Sequence, residues 1–98
     1  MTLIINNFYF LRWSDENGFY FYMPESLDGK RFFTFYPSGP ELYIIGELTG
    51  QDYFEDKTTI IFISIAKIVF LDNGIKVFSK TGDEYYLGKM NPDYSSKF

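Results

Sequence analysis

The chain contains no cysteine and no histidine. Without cysteine there is no disulfide framework, no thiolate nucleophile and no zinc ribbon. Without histidine the usual proton shuttle near neutral pH is missing, as is the commonest metal ligand. Ser-His-Asp and Cys-His catalysis are therefore excluded. Bases are scarce as well: no Lys or Arg lies between Arg31 and Lys57. The longest apolar stretch, Ile60 to Leu71, is interrupted by Ser64 and Lys67, and falls short of the roughly 20 residues a spanning helix needs. Met1 to Phe10 carries no basic residue and no small-residue cleavage site, so no secretory signal is expected. A soluble, cytoplasmic protein that engages no membrane is the expectation, and the missing cysteines suit a reducing compartment.

What the chain has in abundance is aromatic residues: 12 Phe, 9 Tyr and 1 Trp make up 22% of its 98 residues. A chain of this length forms one domain and buries only about two thirds of its unfolded surface. Rings that each bury on the order of 150–250 Å² can make that small core dense, with some left over for the surface. Exposed tyrosine is a low-entropy contact group, which favours a protein-binding role. Charge is uneven. Residues 1–56 hold nine acids and three bases, a net of −6, whereas residues 57–98 hold four acids and six bases, a net of +2.

Turn signals divide the chain into short strands. Strands are predicted at about 8–13 (with a short one before it, separated by a break at Asn6-Asn7), 19–23, 31–36, 41–48, 58–64, 65–71, 75–79 and 84–87. Ser14 to Gly18 reads as a turn with Gly18 at positive φ, and Pro37-Ser38-Gly39-Pro40 is a firm stop. Gly46 inside the fourth strand suggests a bulge or bend. Asn73-Gly74 supplies two residues suited to a two-residue hairpin, and Thr81-Gly82 a second turn of that kind. A helix over 59–70 is the competing reading, but Thr, Ile and Val dominate there with a single Ala. The expected fold is all-β, a small antiparallel barrel or roll of six to eight strands in one domain spanning 1–98, with a partly ordered tail over 89–98.

The C-terminal third, Val77-x-Ser79-x-Thr81-Gly82-x-x-Tyr85-x-Leu87-Gly88-x-x-x-Pro92-x-Tyr94, resembles the ending of a group of short, uncharacterised bacterial proteins, V-x-T-x-S-G-x-x-Y-x-L-G-x-x-x-P-x-Y. Ser79 and Thr81 stand where that pattern has Thr and Ser. The resemblance implies a bacterial or phage origin and a turn geometry, and no activity. Read physically, Gly82 permits the turn, Tyr85 and Leu87 alternate onto one face, and Pro92 and Tyr94 fold the tail back on the barrel.

The leading candidate site is the acidic stretch Glu41, Glu47, Asp52, Tyr53, Phe54, Glu55 and Asp56. Aromatic anchors ringed by carboxylates suit a hot spot for a basic protein surface. The competing reading is a loop whose rings plug the barrel. No cofactor or metal is implied: the carboxylate spacing does not match a calcium-binding EF-hand loop. Nor is an enzyme expected, since no serine sits in a Gly-x-Ser-x-Gly elbow and nothing singles out a carboxylate pair. Lys76, Lys80, Tyr85, Tyr86 and Lys89 could serve a nucleic-acid groove. A solvated lysine face that blunts edge pairing accounts for them better in a net-negative chain. The expectation is an acidic immunity or inhibitor protein that occludes a basic surface of a nuclease toxin or nucleic-acid-binding complex. A small barrel binding nucleic acid or a small ligand, or a self-associating subunit of an assembly, is the alternative.

Overall fold

The computed structural model describes residues 3–24, 33–50, 59–72, 74–94 and 96. Among them seven strands form one sheet: β1 (Leu3–Ser14), β2 (Gly18–Tyr22), β3 (Phe33–Phe35), β4 (Leu42–Gly50), β5 (Thr59–Leu71), β6 (Gly74–Ser79) and β7 (Glu84–Leu87). The order is β2-β1-β4-β5-β6-β7, with β3 paired to β5. All these pairings are antiparallel; one further pairing is parallel, placing Ile4 beside Tyr86 and Ile5 beside Leu87. It closes a hydrogen-bonded ring through β1, β4, β5, β6 and β7, so the expected all-β barrel or roll is present. Among the described residues no helix is long and apolar enough to cross a membrane.

Two long strands make the closure work, and both run on where separate strands were expected. β1 continues through Asn6-Asn7 because a bulge absorbs the irregularity. The register with β4 shifts between Asn6 and Tyr9, leaving Asn7 and Phe8 opposite Gly46 alone. Asn7 adopts a φ of 51°, a conformation that asparagine tolerates better than most side chains. Gly46 therefore marks a bulge, but the extra residue belongs to its partner strand. A Cβ at Gly46 would lie 2.5 Å from Ile5 Cγ2, 2.9 Å from the Asn6 carbonyl oxygen and 3.2 Å from Phe8 Cα. Only a glycine lets the bulge seat so closely.

β5 is likewise one 13-residue strand rather than the two predicted at 58–64 and 65–71. No turn residue separates Ser64 from Ile65; a register shift between Ile65 and Lys67 bends the strand instead. Its first half pairs with β4 and its second half with β6. The hairpin to β6 is offset by one residue from expectation. Leu71 pairs with Gly74, so Gly74 opens β6 and does not sit in the turn. The Thr81-Gly82 turn is also longer than predicted. The Ser79 amide donates to the Asp83 carbonyl at 2.9 Å across Lys80, Thr81 and Gly82, with Gly82 at a φ of 93°.

Inward residues form one core of Ile5, Phe8, Phe10, Leu42, Ile44, Ile65, Ile68, Phe70, Val77 and Tyr94, each large side chain contributing about 1.5–3 kcal/mol of burial. Tyr94 comes from the tail. Beyond β7 the chain keeps following β1: the Gly88 amide donates to the Ile5 carbonyl at 2.8 Å and the Asn91 amide to the Phe8 carbonyl at 2.9 Å. Asn91 Oδ1 then accepts the Asp93 amide at 2.9 Å. This turn delivers the Tyr94 ring into the core, where its hydroxyl donates to the Tyr22 carbonyl. Burial raises the pKa of that hydroxyl, keeping it neutral.

Candidate functional site

Alternation along β1, β2, β4 and β5 sends one set of side chains into the core and the other onto an outer face. Leu11 pairs with Phe21 on one side and Tyr43 on the other, and Tyr43 pairs with Ser64. One step along, Tyr9 pairs with Ile45, and Ile45 with Phe62; toward the other end Trp13 pairs with Phe19. The result is an outer face of rings and aliphatic side chains across four strands. Trp13 is 42% exposed, Phe19 51%, Phe21 39%, Ile60 59% and Phe62 45%. Taking about 200 Å² for a side chain of this size, these five present on the order of 400–500 Å² of apolar surface, the size of the largest patch on a typical monomer.

The rings are ordered against one another. Tyr43 and Phe62 stack at 4.9 Å with 17° between planes. Phe19 meets both edge-on, at 5.6 Å from Tyr43 and 5.5 Å from Phe62, and Trp13 meets Phe19 at 4.8 Å. Farther along, Tyr9 lies 5.4 Å from Phe21, and Tyr94 lies 6.3 Å from Tyr9 and 6.4 Å from Phe21.

The acids Glu41 and Glu47 fall on this face at its two ends. They lie six residues apart along one strand direction, hence about 20 Å, and do not form one cluster. Each already has a partner. Ser64 Oγ donates to Glu41, Lys80 Nζ forms an ion pair with the same carboxylate, and Asn7 Nδ2 donates to Glu47. Lys80 and then Ser64 hold the Glu41 carboxyl below its ordinary pKa. Asp52, Tyr53, Phe54, Glu55 and Asp56 lie outside the described residues.

The second outer face, on the far half of β5 with β6 and β7, carries Lys67 and Lys76. Lys76 pairs with Glu84 at 2.9 Å and lies 5.6 Å from the Phe78 ring centre and 5.3 Å from that of Tyr86. Lys67 sits 4.5 Å from the Phe78 ring centre. Glu84 raises the Lys76 pKa, a structural ion pair rather than a poised base. Burial, with the nearby Asp83 carboxylate, raises that of Tyr85.

Arg12 was not singled out by sequence reasoning, because one base in an aromatic strand reads as an outward residue. It points inward, 6% exposed. Its Nη1 donates to the Ser38 carbonyl at 3.0 Å and to the Pro40 carbonyl, and its guanidinium lies 4.1 Å from the Tyr22 ring centre. That grip fixes the segment entering β4. Among the described residues no group of three or more acidic side chains could hold a metal ion.

Comparison of the chain with protein-family models, with curated proteins and with solved structures finds no match.

Proposed function

We propose that this protein is a non-catalytic binding module that docks a basic protein partner on the β2-β1-β4-β5 outer face, occluding the partner's functional surface as an immunity or inhibitor protein does. The observation that carries the reading is the contiguous exposed set Trp13, Phe19, Phe21, Ile60 and Phe62. A patch of this size is about half of the roughly 800 Å² that a standard interface buries on each partner. It matches the apolar centre of such an interface, with a polar rim still to be added.

Magnitudes assign the parts. Burying the patch is worth on the order of 10 kcal/mol at about 25 cal/mol per Å², while association costs an estimated 4–15 kcal/mol. The rings alone therefore come close to breaking even, and rim contacts must supply the margin. On this face β4 contributes the carboxylate of Glu47, and Glu41, just before β4, is already paired with Lys80. The acidic segment Asp52, Glu55 and Asp56 follows β4 in the chain, which as a whole carries −4. Such a field favours encounter with a cationic surface.

The direct test is the double substitution Phe19→Ser, Phe62→Ser. Both positions are exposed, and the change breaks four ring contacts at about 0.5–1.5 kcal/mol each, about 2–6 kcal/mol together, so the assay is run where the amide spectrum shows the double variant folded. Affinity for the cognate partner, isolated from the source organism by crosslinking to the unaltered chain, should fall at least a hundredfold. Unchanged affinity in a folded double variant refutes the reading. The steering role has its own test. Reversing Asp52, Glu55 and Asp56 to Lys should slow association and flatten its salt dependence without altering the fold; an unchanged association rate removes the acidic segment from the account.

A further inference from the structure

We infer that a groove at the Glu47 end of this face seats one lysine or arginine side chain of the protein partner, an inference that rests on the docking role proposed above. The groove encloses about 350 Å³. Its walls are Tyr9, Ile45 and Ile60 from three adjacent strands and Pro92 from the tail, with Glu47 and Asp93 as its charged residues. A second hollow of about 230 Å³ shares Tyr9, Asn91 and Asp93 with it and runs on to Phe21 and Tyr94. The groove thus continues directly into the exposed ring patch.

Its origin is visible in the backbone. The tail lies along the β1 bulge, pinned by the Asn91 amide on the Phe8 carbonyl, and the Asx turn at Asn91 carries Asp93 to the groove. On the opposite wall Asn7, the bulge residue with positive φ, donates its side-chain amide to the Glu47 carboxylate and orients it. Two independent elements, the tail and β4, therefore bring one carboxylate each to an apolar slot.

The chemistry selects the occupant. An aliphatic stem can lie along Ile45 and Ile60 while its cationic head reaches the carboxylates, as long basic side chains do on apolar surfaces. The Tyr9 ring adds a favourable face for the cation. A neutral apolar side chain would desolvate two carboxylates without recompense, and a phosphate would be repelled by both. Among the described residues that line the groove there is no cation. The volume lies near the lower end of small-molecule pockets and suits one long side chain, a rim contact beside the apolar centre of the face.

The test is a titration of the ¹⁵N-labelled chain, followed by amide chemical shifts, with three capped tripeptides: Gly-Lys-Gly, Gly-Arg-Gly and Gly-norleucine-Gly. The lysine and arginine peptides should give saturable shifts confined to Tyr9, Ile45, Glu47, Ile60, Asn91 and Asp93. The norleucine peptide should bind at least tenfold more weakly. Asp93→Asn and Glu47→Gln, each checked for an unchanged spectrum elsewhere, should each weaken the lysine peptide about three- to tenfold. Equal binding of norleucine, indifference to both substitutions, or no saturable shift in the groove overturns the inference. So do groove shifts that appear on concentrating the chain alone, which would put a second copy there. The Phe19→Ser, Phe62→Ser variant separates this from the broader reading. It should bind the tripeptides normally while losing the partner. Silent tripeptides with the partner still lost leave the docking face standing and remove only the groove.

Discussion

Replacing Gly46 by alanine should destabilise the barrel, where an ordinary glycine-to-alanine change stabilises. Adding a methyl normally helps by reducing the entropy of the unfolded chain, by about 0.4–1 kcal/mol. Here the new Cβ would stand 2.5 Å from Ile5 Cγ2, against the roughly 3.5–4.0 Å at which carbon atoms pack. Ile5 is fully buried, so its methyl must retreat about 1 Å into a filled core. The Asn6 carbonyl oxygen and Phe8 Cα, at 2.9 and 3.2 Å, are backbone and can move only if β1 lifts from β4. Overpacking of this kind costs about 1–3 kcal/mol, from a domain whose whole stability is on the order of 5–15 kcal/mol. Urea unfolding followed by Trp13 fluorescence should show a lowered midpoint with an unchanged slope. Ile5→Ala, which opens a cavity costing about 2–5 kcal/mol alone, should accommodate part of the new methyl. The double variant should then be at least about 0.5 kcal/mol more stable than the two single losses imply. A Gly46→Ala chain within about 0.5 kcal/mol of the parent, or strict additivity with Ile5→Ala, refutes the bulge-on-glycine account.

Tyr94→Phe removes one hydroxyl and leaves the Tyr22 carbonyl without that partner, which should cost about 1–2 kcal/mol at neutral pH by urea titration. Because folding raises the Tyr94 pKa above its ordinary value of 10.0, its contribution is complete below pH 10 and declines above it, by about 1.4 kcal/mol per pH unit. The parent and Tyr94→Phe stabilities should therefore converge within about 1.5 pH units above pH 10; parallel curves would show that the hydroxyl ionises as freely in the fold as outside it. Glu41 has the opposite sign: its folded pKa is depressed, so its stabilisation is present above about pH 4.5 and is lost as pH falls through the lower folded value. The half-exposed Lys80 partner lets solvent screen the pair, so Glu41→Gln should cost below about 1 kcal/mol at pH 7 and nothing at pH 2. An undiminished cost at pH 2 would point to packing rather than charge.

The parts of the fold that were legible in the sequence are those set by local chemistry. The turn at Gly18, the stop at Pro37 to Pro40 and the strand character of 59–71 follow from residue types a few positions apart. The closure was not legible. Pairing Ile4 with Tyr86 joins strands at opposite ends of the chain, and no neighbouring residue announces it. Register suffered for a related reason: Asn73-Gly74 is the stronger turn dipeptide, yet Gly74 pairs with Leu71 and belongs to β6. The candidate site divides in the same way. Glu41 and Glu47 were read as neighbours in an acidic stretch, but the strand between them sets them at opposite ends of one face. The signal for the ring patch was present in Phe19 to Met23 and Ile60 to Ile63, runs apolar on both faces of a strand. In a closed barrel one face of such a run has to look outward. The inward turn of Arg12 had no local signal, since its partners are carbonyls more than 25 residues away.

Order within the patch bears on how tightly it can bind. A loose set of exposed aromatic side chains loses rotamer freedom on association, about 0.5–1.5 kcal/mol for each side chain immobilised. Tyr43, Phe62, Phe19 and Trp13 already hold one another through stacked and edge-on contacts on adjacent strands, so much of that loss is incurred on folding. In the proposed docking role a partner would then meet a surface near its bound form, as in matured paratopes, where preorganisation slows dissociation more than it speeds encounter. The labour would divide accordingly: rings would set residence time, and the acidic segment after β4 would set approach. Substitutions within the ring set should act chiefly on the dissociation rate, and substitutions in the acidic segment chiefly on the association rate. A patch whose ring substitutions altered only association would be a steering surface that happens to be apolar, and the docking argument would then have to be built on another face.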